Sequence, residues 1–184
     1  MMLAPESTLV MLVDLQDKLV ATLSPESAQA LTRNASILLD AAHALGVPVI
    51  ATEQHPKGLG STVEPLAHKL RERGHPTFEK LSFDALANDA VADCVTGLRK
   101  EAVVLLGMET HICVYQTARS LVAAGVRVFV CEDACESRAS HCKARGLRMA
   151  EAAGARVSVT EAVVFDLLKT AEHPRFREIS KLVR

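Results

Sequence analysis

Short runs dense in Val, Leu and Ile recur along this chain, and each is followed by a stretch with helical character. The first, residues 8–14 (TLVMLVD), is apolar at nearly every position rather than every second one. Strict alternation marks a strand with one wet face; a continuous run marks a strand covered on both faces, as in a parallel sheet. Further strands are expected at residues 47–52 (VPVIAT), 77–80 (TFEK), 102–107 (AVVLLG), 126–131 (VRVFVC) and 156–160 (RVSVT). Pro48 stands near the start of its strand, where a missing N–H does least harm.

Helix signals fill the gaps. Ser24 and Pro25 suit the N-cap and first position of a long helix that stops at Gly46. Residues 89–98, 110–124 and 145–153 read as helices, the last two closed by Gly125 and Gly154, and residues 161–183 as a helical tail broken at His173–Pro174. Residues 53–74 read as a loop with one short helix. No linker and no internal repeat interrupts the alternation. The expectation is a single α/β domain over residues 1–184, a three-layer α/β/α Rossmann-like fold around a six-stranded parallel sheet.

Charge narrows the function. Lys plus Arg number 21 and Asp plus Glu 22, with no dense run of one sign. Neither a nucleic-acid partner nor an anionic membrane is expected, since both need a basic face. No apolar run is long enough to span a bilayer, and the N-terminus lacks a basic region before its apolar stretch, so the cytosol is the expected location. Five cysteines in a chain this size argue against a disulfide framework; they read as buried small residues or reactive thiols. The turn after the first strand, Asp14-Leu15-Gln16-Asp17, has no glycine and two carboxylates, which rejects dinucleotide binding. No cofactor is expected.

Ligands of such sheets bind beyond the carboxyl ends of the strands. Three residues there carry chemistry. Cys113 follows the fourth strand, with Thr110 as the expected N-cap, so helix N–H groups and dipole are expected to lower its thiol pKa and to receive an oxyanion. A free cysteine is more often a packed structural residue. Asp14 closes the first strand and suits a general base; Lys80 closes the third and supplies a cation. Each also has a bland reading, as a turn acceptor or a solvated lysine. Together they put nucleophile, base and cation at one sheet edge.

With these residues in place, the chain resembles the isochorismatase-like (cysteine hydrolase) family over nearly its whole length. The carriers are Asp14 and Gln16 after the first strand, Lys80 in EKLSFDAL, GMETHICVYQTARSL around Cys113, and VCEDACESR ending at Arg138. TEQHPKGLGST and AEHPRFREISKLVR are most similar to the branch of small isochorismatase-domain proteins. The resemblance implies an Asp–Lys–Cys triad at Asp14, Lys80 and Cys113. It also implies a cis peptide at Met108–Glu109 that turns the N–H groups of Glu109 and Cys113 towards an oxyanion, with Gln16 and Gln54 in the pocket. Nicotinamidases of this family hold a metal with an Asp and two His after the second strand. Here Gln54 stands where that Asp would align, and Glu53, His55 and His68 lack the spacing, so no metal is expected.

A second cluster, Cys131, Cys135, His141 and Cys142, matches no common zinc spacing. A cysteine at 113 points to a small amide or related C–N bond rather than to isochorismate, an enol ether with two carboxylates, which Glu109 would also repel. Two rivals stand beside this reading: an inactive scaffold that retains the fold, and a metal-dependent nicotinamidase-type amidase. Relatives of this kind are usually oligomers, so a homo-oligomer acting on a small molecule is expected.

Overall fold

The computed structural model describes residues 3–184. Its six strands, β1 (Thr8–Val13), β2 (Val49–Gln54), β3 (Thr77–Lys80), β4 (Ala102–Gly107), β5 (Arg127–Cys135) and β6 (Arg156–Ser158), form one sheet in the order β3-β2-β1-β4-β5-β6. Every adjacent pair is parallel. β1 and β4 lie at the centre and are buried at all positions, which is why their sequences never alternate. The expected three-layer α/β fold is therefore the observed one.

Helices cover both faces: α1 (Asp17–Val20), α2 (Pro25–Ala44), α3 (Pro56–Leu59), α4 (Leu66–Glu72), α5 (Asp89–Leu98), α6 (Tyr115–Ala123), α7 (Ser140–Ala152), α8 (Thr160–Leu168) and α9 (Phe176–Leu182). Ser24 caps α2 by accepting from the Ser27 N–H, and Asn88 caps α5 by accepting from Val91 N–H. Successive strand residues point to opposite faces. Val10, Leu12, Val104 and Leu106 pack against α2, α8 and α9, through residues such as Leu38, Leu167 and Ile179. Leu9, Met11, Val103 and Leu105 pack against α5, α6 and α7, through Val91, Leu121 and Ala150.

Strand order fixes where a site can form. From β1 the chain works outward to β3, then returns to lay β4 on the other side of β1. The loops leaving β1 and β4 diverge there, and the crevice between them is the switch point of the sheet. Asp14 follows β1 and Cys113 follows β4. The two strands also approach unusually closely: Gly107 sits at φ +133°, where a Cβ would lie 1.9 Å from the Val13 carbonyl oxygen, so no other residue fits.

The structure departs from the sequence reading at element ends. β5 runs to Cys135, four residues past the expected stop, because an irregularity after the Leu105–Val130 pair lets Gly107 pair with Cys135. α7 begins at Ser140 rather than 145. The region expected as loop with one helix holds α3 and α4, and the tail breaks earlier than His173: α8 ends at Leu168, before Lys169 at φ +69°. Among the described residues no helix is long and apolar enough to cross a membrane.

Candidate active site

Asp14 leaves β1 in a left-handed conformation, φ +53°. Its Oδ1 accepts from Thr52 Oγ1 at 2.7 Å, and its Oδ2 accepts from Lys80 Nζ at 2.7 Å. Neither side chain of this ion pair is exposed at all. Burial of two charges costs more than their attraction returns unless the remaining donors and lone pairs are satisfied. Here they are: Lys80 Nζ also donates to Gln54 Oε1 at 2.8 Å and to the Ser82 carbonyl at 3.1 Å. Gln54 is pinned in turn, its N–H donating to Gln16 Oε1 at 2.7 Å and its amide to the Leu81 carbonyl at 2.8 Å. Gln16 Nε2 donates to the Gln54 and Gly60 carbonyls at 3.0 and 2.6 Å. Both glutamines act as struts that aim the lysine.

Cys113 occupies a π-helical turn, Thr110–Val114, that joins β4 to α6. It is 5 % exposed and packs with Val13 and Val114 in the core layer under α6. Its thiol is pushed up to about 12, first by burial and then by the charge of the nearby Asp14 carboxylate; Lys80 and the Glu109 backbone act the other way. Asp14 therefore pairs directly with Lys80 and acts on the Cys113 thiol through its charge. The expectation of a lowered thiol pKa is overturned. Desolvation and a neighbouring anion outweigh any helix-end dipole, so the resting group is a thiol.

Two details of the turn also bear on the site. Thr110 is not an N-cap: its N–H and hydroxyl both donate to the Glu136 carbonyl, at 3.0 and 2.8 Å. Met108–Glu109 is cis, with Met108 buried in the core. The Glu109 backbone acts on the thiol while its carboxylate turns to the loop after β5: Oε1 accepts from Arg138 N–H at 3.3 Å, and Oε2 lies 3.4 Å from His111 Nδ1 and 3.7 Å from Arg138 Nε. Sequence reasoning missed Thr52, which holds Asp14, because a Thr at the end of a buried strand looks like any other strand residue.

Residues 8–162 match the model of the isochorismatase domain. The chain belongs to the isochorismatase-like hydrolase family. It is 35 % identical over 184 residues to isochorismatase domain-containing protein 2 of Xenopus laevis, covering 98 % of this chain and 85 % of that protein. Among solved structures, the MAR1 ribonuclease of Caenorhabditis elegans superposes with a TM-score of 0.92 at 33 % identity, over 100 % of this chain and 92 % of that one. YcaC of Escherichia coli, described as an octameric hydrolase of unknown specificity, shares the fold with a TM-score of 0.86 at 22 % identity, over 98 % of this chain and 95 % of that one.

The remaining candidate residues of this isochorismatase-like chain are dispersed. Glu53 Oε1 accepts from both the N–H and hydroxyl of Thr62, at 2.7 and 2.8 Å, and His68 lies 3.9 Å from Glu72 on the exposed face of α4. Cys131 and Cys135 belong to core layers on opposite faces of the sheet, so they cannot share an ion. Among the described residues no three His, Cys, Asp or Glu side chains converge on a point suited to a metal. A cleft of about 620 Å³ lies outside β3, lined by His55, Pro56, Leu81 and Asn88. Lys80 touches it through its main chain only, because its side chain has no exposed surface and points inward to Asp14.

Proposed function

We propose that this protein is a cysteine-nucleophile hydrolase that cleaves a small amide or related C–N bond through a thioester. One observation carries the reading: a buried carboxylate, Asp14, paired with the Lys80 ammonium at 2.7 Å at the switch point of the sheet, is near enough to the buried Cys113 thiol for its charge to act on it. A nucleophile, a base and an orienting cation gathered at one place are what covalent acyl transfer requires.

As the Cys113 sulfur attacks the substrate carbonyl, its proton passes to Asp14, so a free thiolate need not accumulate first. The backbone N–H groups of Glu109 and Cys113 hold the oxyanion. Asp14 then protonates the departing amine, leaving the acyl group on sulfur. Water attacks this thioester, gives its proton to Asp14, and the acid leaves as the proton returns to Cys113. Lys80 keeps Asp14 aimed through these transfers. The core around Cys113 and the buried Asp14 charge favour a small, uncharged acyl group over a dianion such as isochorismate.

The proposal includes a metal-free reaction, a cytosolic setting and self-association. The worm relative is called a ribonuclease, but a 5 % exposed thiol and a net charge of −1 support a small substrate for this centre. The test is a screen of small amides for ammonia or amine release, with and without chelator, read alongside intact mass. Turnover with a transient acyl adduct, lost in Cys113→Ala and indifferent to chelator, is expected. Turnover retained by Cys113→Ala would sink the reading, and loss in chelator restored by a divalent ion would favour the metal-dependent amidase.

A further inference from the structure

α7 carries His141, Arg145 and Arg148 at positions i, i+4 and i+7, one face of the helix. Gly146 lets this helix sit directly on the nucleophile turn, since a Cβ there would lie 2.6 Å from the backbone of His111. The packing brings His111 against the basic face. Between them is a cleft of about 390 Å³ lined by His111, His141, Cys142, Arg145, Arg148 and Met149. No carboxylate lines it.

Among the described residues neither cleft arginine is engaged by a carboxylate, a state they share with Arg99 and Arg177, but only these two of the four face one cleft together. Arg71, Arg73, Arg127 and Arg175 each reach a carboxylate. Among the described residues Arg145 and Arg148 have no ion-pair or hydrogen-bond partner, and Glu151, one turn beyond Arg148, makes no pair with it. The one acid near the start of the helix, Glu136, is already neutralised by Lys143 at 2.8 Å. His111 is oriented for the cleft: its Nδ1 meets Ser137 Oγ at 3.1 Å and Glu109 Oε2 at 3.4 Å, which leaves Nε2 as the ring nitrogen without a described partner.

We propose that this cleft is an anion site for a phosphate group, with the Arg145 and Arg148 guanidiniums and the His111 and His141 rings as donors and Met149 and Cys142 as an apolar wall. Guanidinium forks match phosphate oxygens two at a time, and the adjoining apolar wall suits the body of a small phosphorylated molecule. The site is separate from the buried Cys113–Asp14–Lys80 centre, and it stands whether or not that centre is a hydrolase.

The test is calorimetric titration of the intact protein with inorganic phosphate. Saturable one-to-one binding is expected, weakened at least tenfold by Arg145→Gln combined with Arg148→Gln. Both side chains are exposed, so the fold survives their loss, as a thermal melt without ligand will show. Arg99→Gln with Arg177→Gln, two arginines outside the cleft, leaves the affinity unchanged. Equal binding by both double variants, or no saturable binding by the wild type, overturns the site. A second arm compares adenosine 5′-monophosphate with a single-stranded oligoribonucleotide. Tighter binding of the monophosphate identifies a small phosphorylated ligand as the source; affinity that climbs with oligonucleotide length, and falls in the cleft variant, identifies a polymer backbone.

Discussion

At the scale of single residues, the structure separates two properties of Cys113 that the sequence tied together. Position after β4 marked it as a candidate nucleophile, as strand ends marked Asp14 and Lys80 as a candidate base and cation, and the structure pairs those last two. Its protonation state was not legible, because it depends on burial and on how closely Asp14 approaches, and neither is local in sequence. With the thiol at about 12, roughly one molecule in 10⁵ carries the thiolate at pH 7. Iodoacetamide at pH 7 should therefore modify the half-buried Cys142 well before Cys113, read by peptide mass mapping. Asp14→Asn removes the anion that raises the thiol and leaves Lys80 beside it. That variant should alkylate at Cys113 at least tenfold faster at pH 8 while its turnover falls by about 10²–10⁴, the span of a lost general base. Slower alkylation in Asp14→Asn would show that the carboxylate does not act on the thiol. Lys80→Met leaves Asp14 buried and unpaired, which should lower unfolding free energy by about 3–5 kcal/mol in urea titration.

Among the elements, the strands were readable because a doubly covered strand writes itself as an apolar run, whereas their ends were set by pairing. β5 continues to Cys135 only because it meets Gly107 past an irregularity, and no residue between 132 and 135 announces that partner. The same limit hid the role of α7. Gly146 reads as a poor choice inside a helix, yet its Cβ would fall 2.6 Å from His111 N and Cα and 2.7 Å from the Thr110 carbonyl carbon, all backbone. Backbone cannot swing aside, so Gly146→Ala must push α7 off the turn that carries Cys113. A cost of about 1–3 kcal/mol is expected for such overpacking. The turnover number should drop, with the pH profile of Cys113 alkylation displaced as the thiol moves relative to Asp14. Gly97 is the matched control: it lies inside α5, and a Cβ added there would meet nothing within 4 Å. Gly97→Ala should stabilise the protein by about 0.5–1 kcal/mol and leave turnover unchanged. If both variants lose activity alike, contact between α7 and the turn is not what matters.

Across the whole molecule, the parallel sheet buries three of the five cysteines, and this ties the stability of the fold to alkaline pH. Cys113 and Cys135 are both raised to about 12, and Cys131 well above its ordinary value of 9.0, in each case chiefly by burial. In the unfolded chain these thiols ionise near pH 9; in the folded chain they keep their protons. Below pH 9 both states are protonated and the full stability is present. Above it the unfolded state sheds protons that the folded state retains, so unfolding becomes easier as pH rises, up to the folded pKa values. Each thiol contributes a slope of about 1.4 kcal/mol per pH unit over that window, so the three together remove about 4 kcal/mol per unit. A domain with a total stability of about 5–15 kcal/mol cannot bear that for long. The urea midpoint should be flat from pH 7 to about 8.5 and fall steeply above 9, with unfolding before pH 12. Cys135→Ala tests the assignment, since it sits outside the proposed catalytic centre and removes one thiol from the balance. The alkaline slope of that variant should flatten by about one third, whatever its stability at pH 7. An unchanged slope would place the alkaline sensitivity in some other group and remove the buried thiols as its cause.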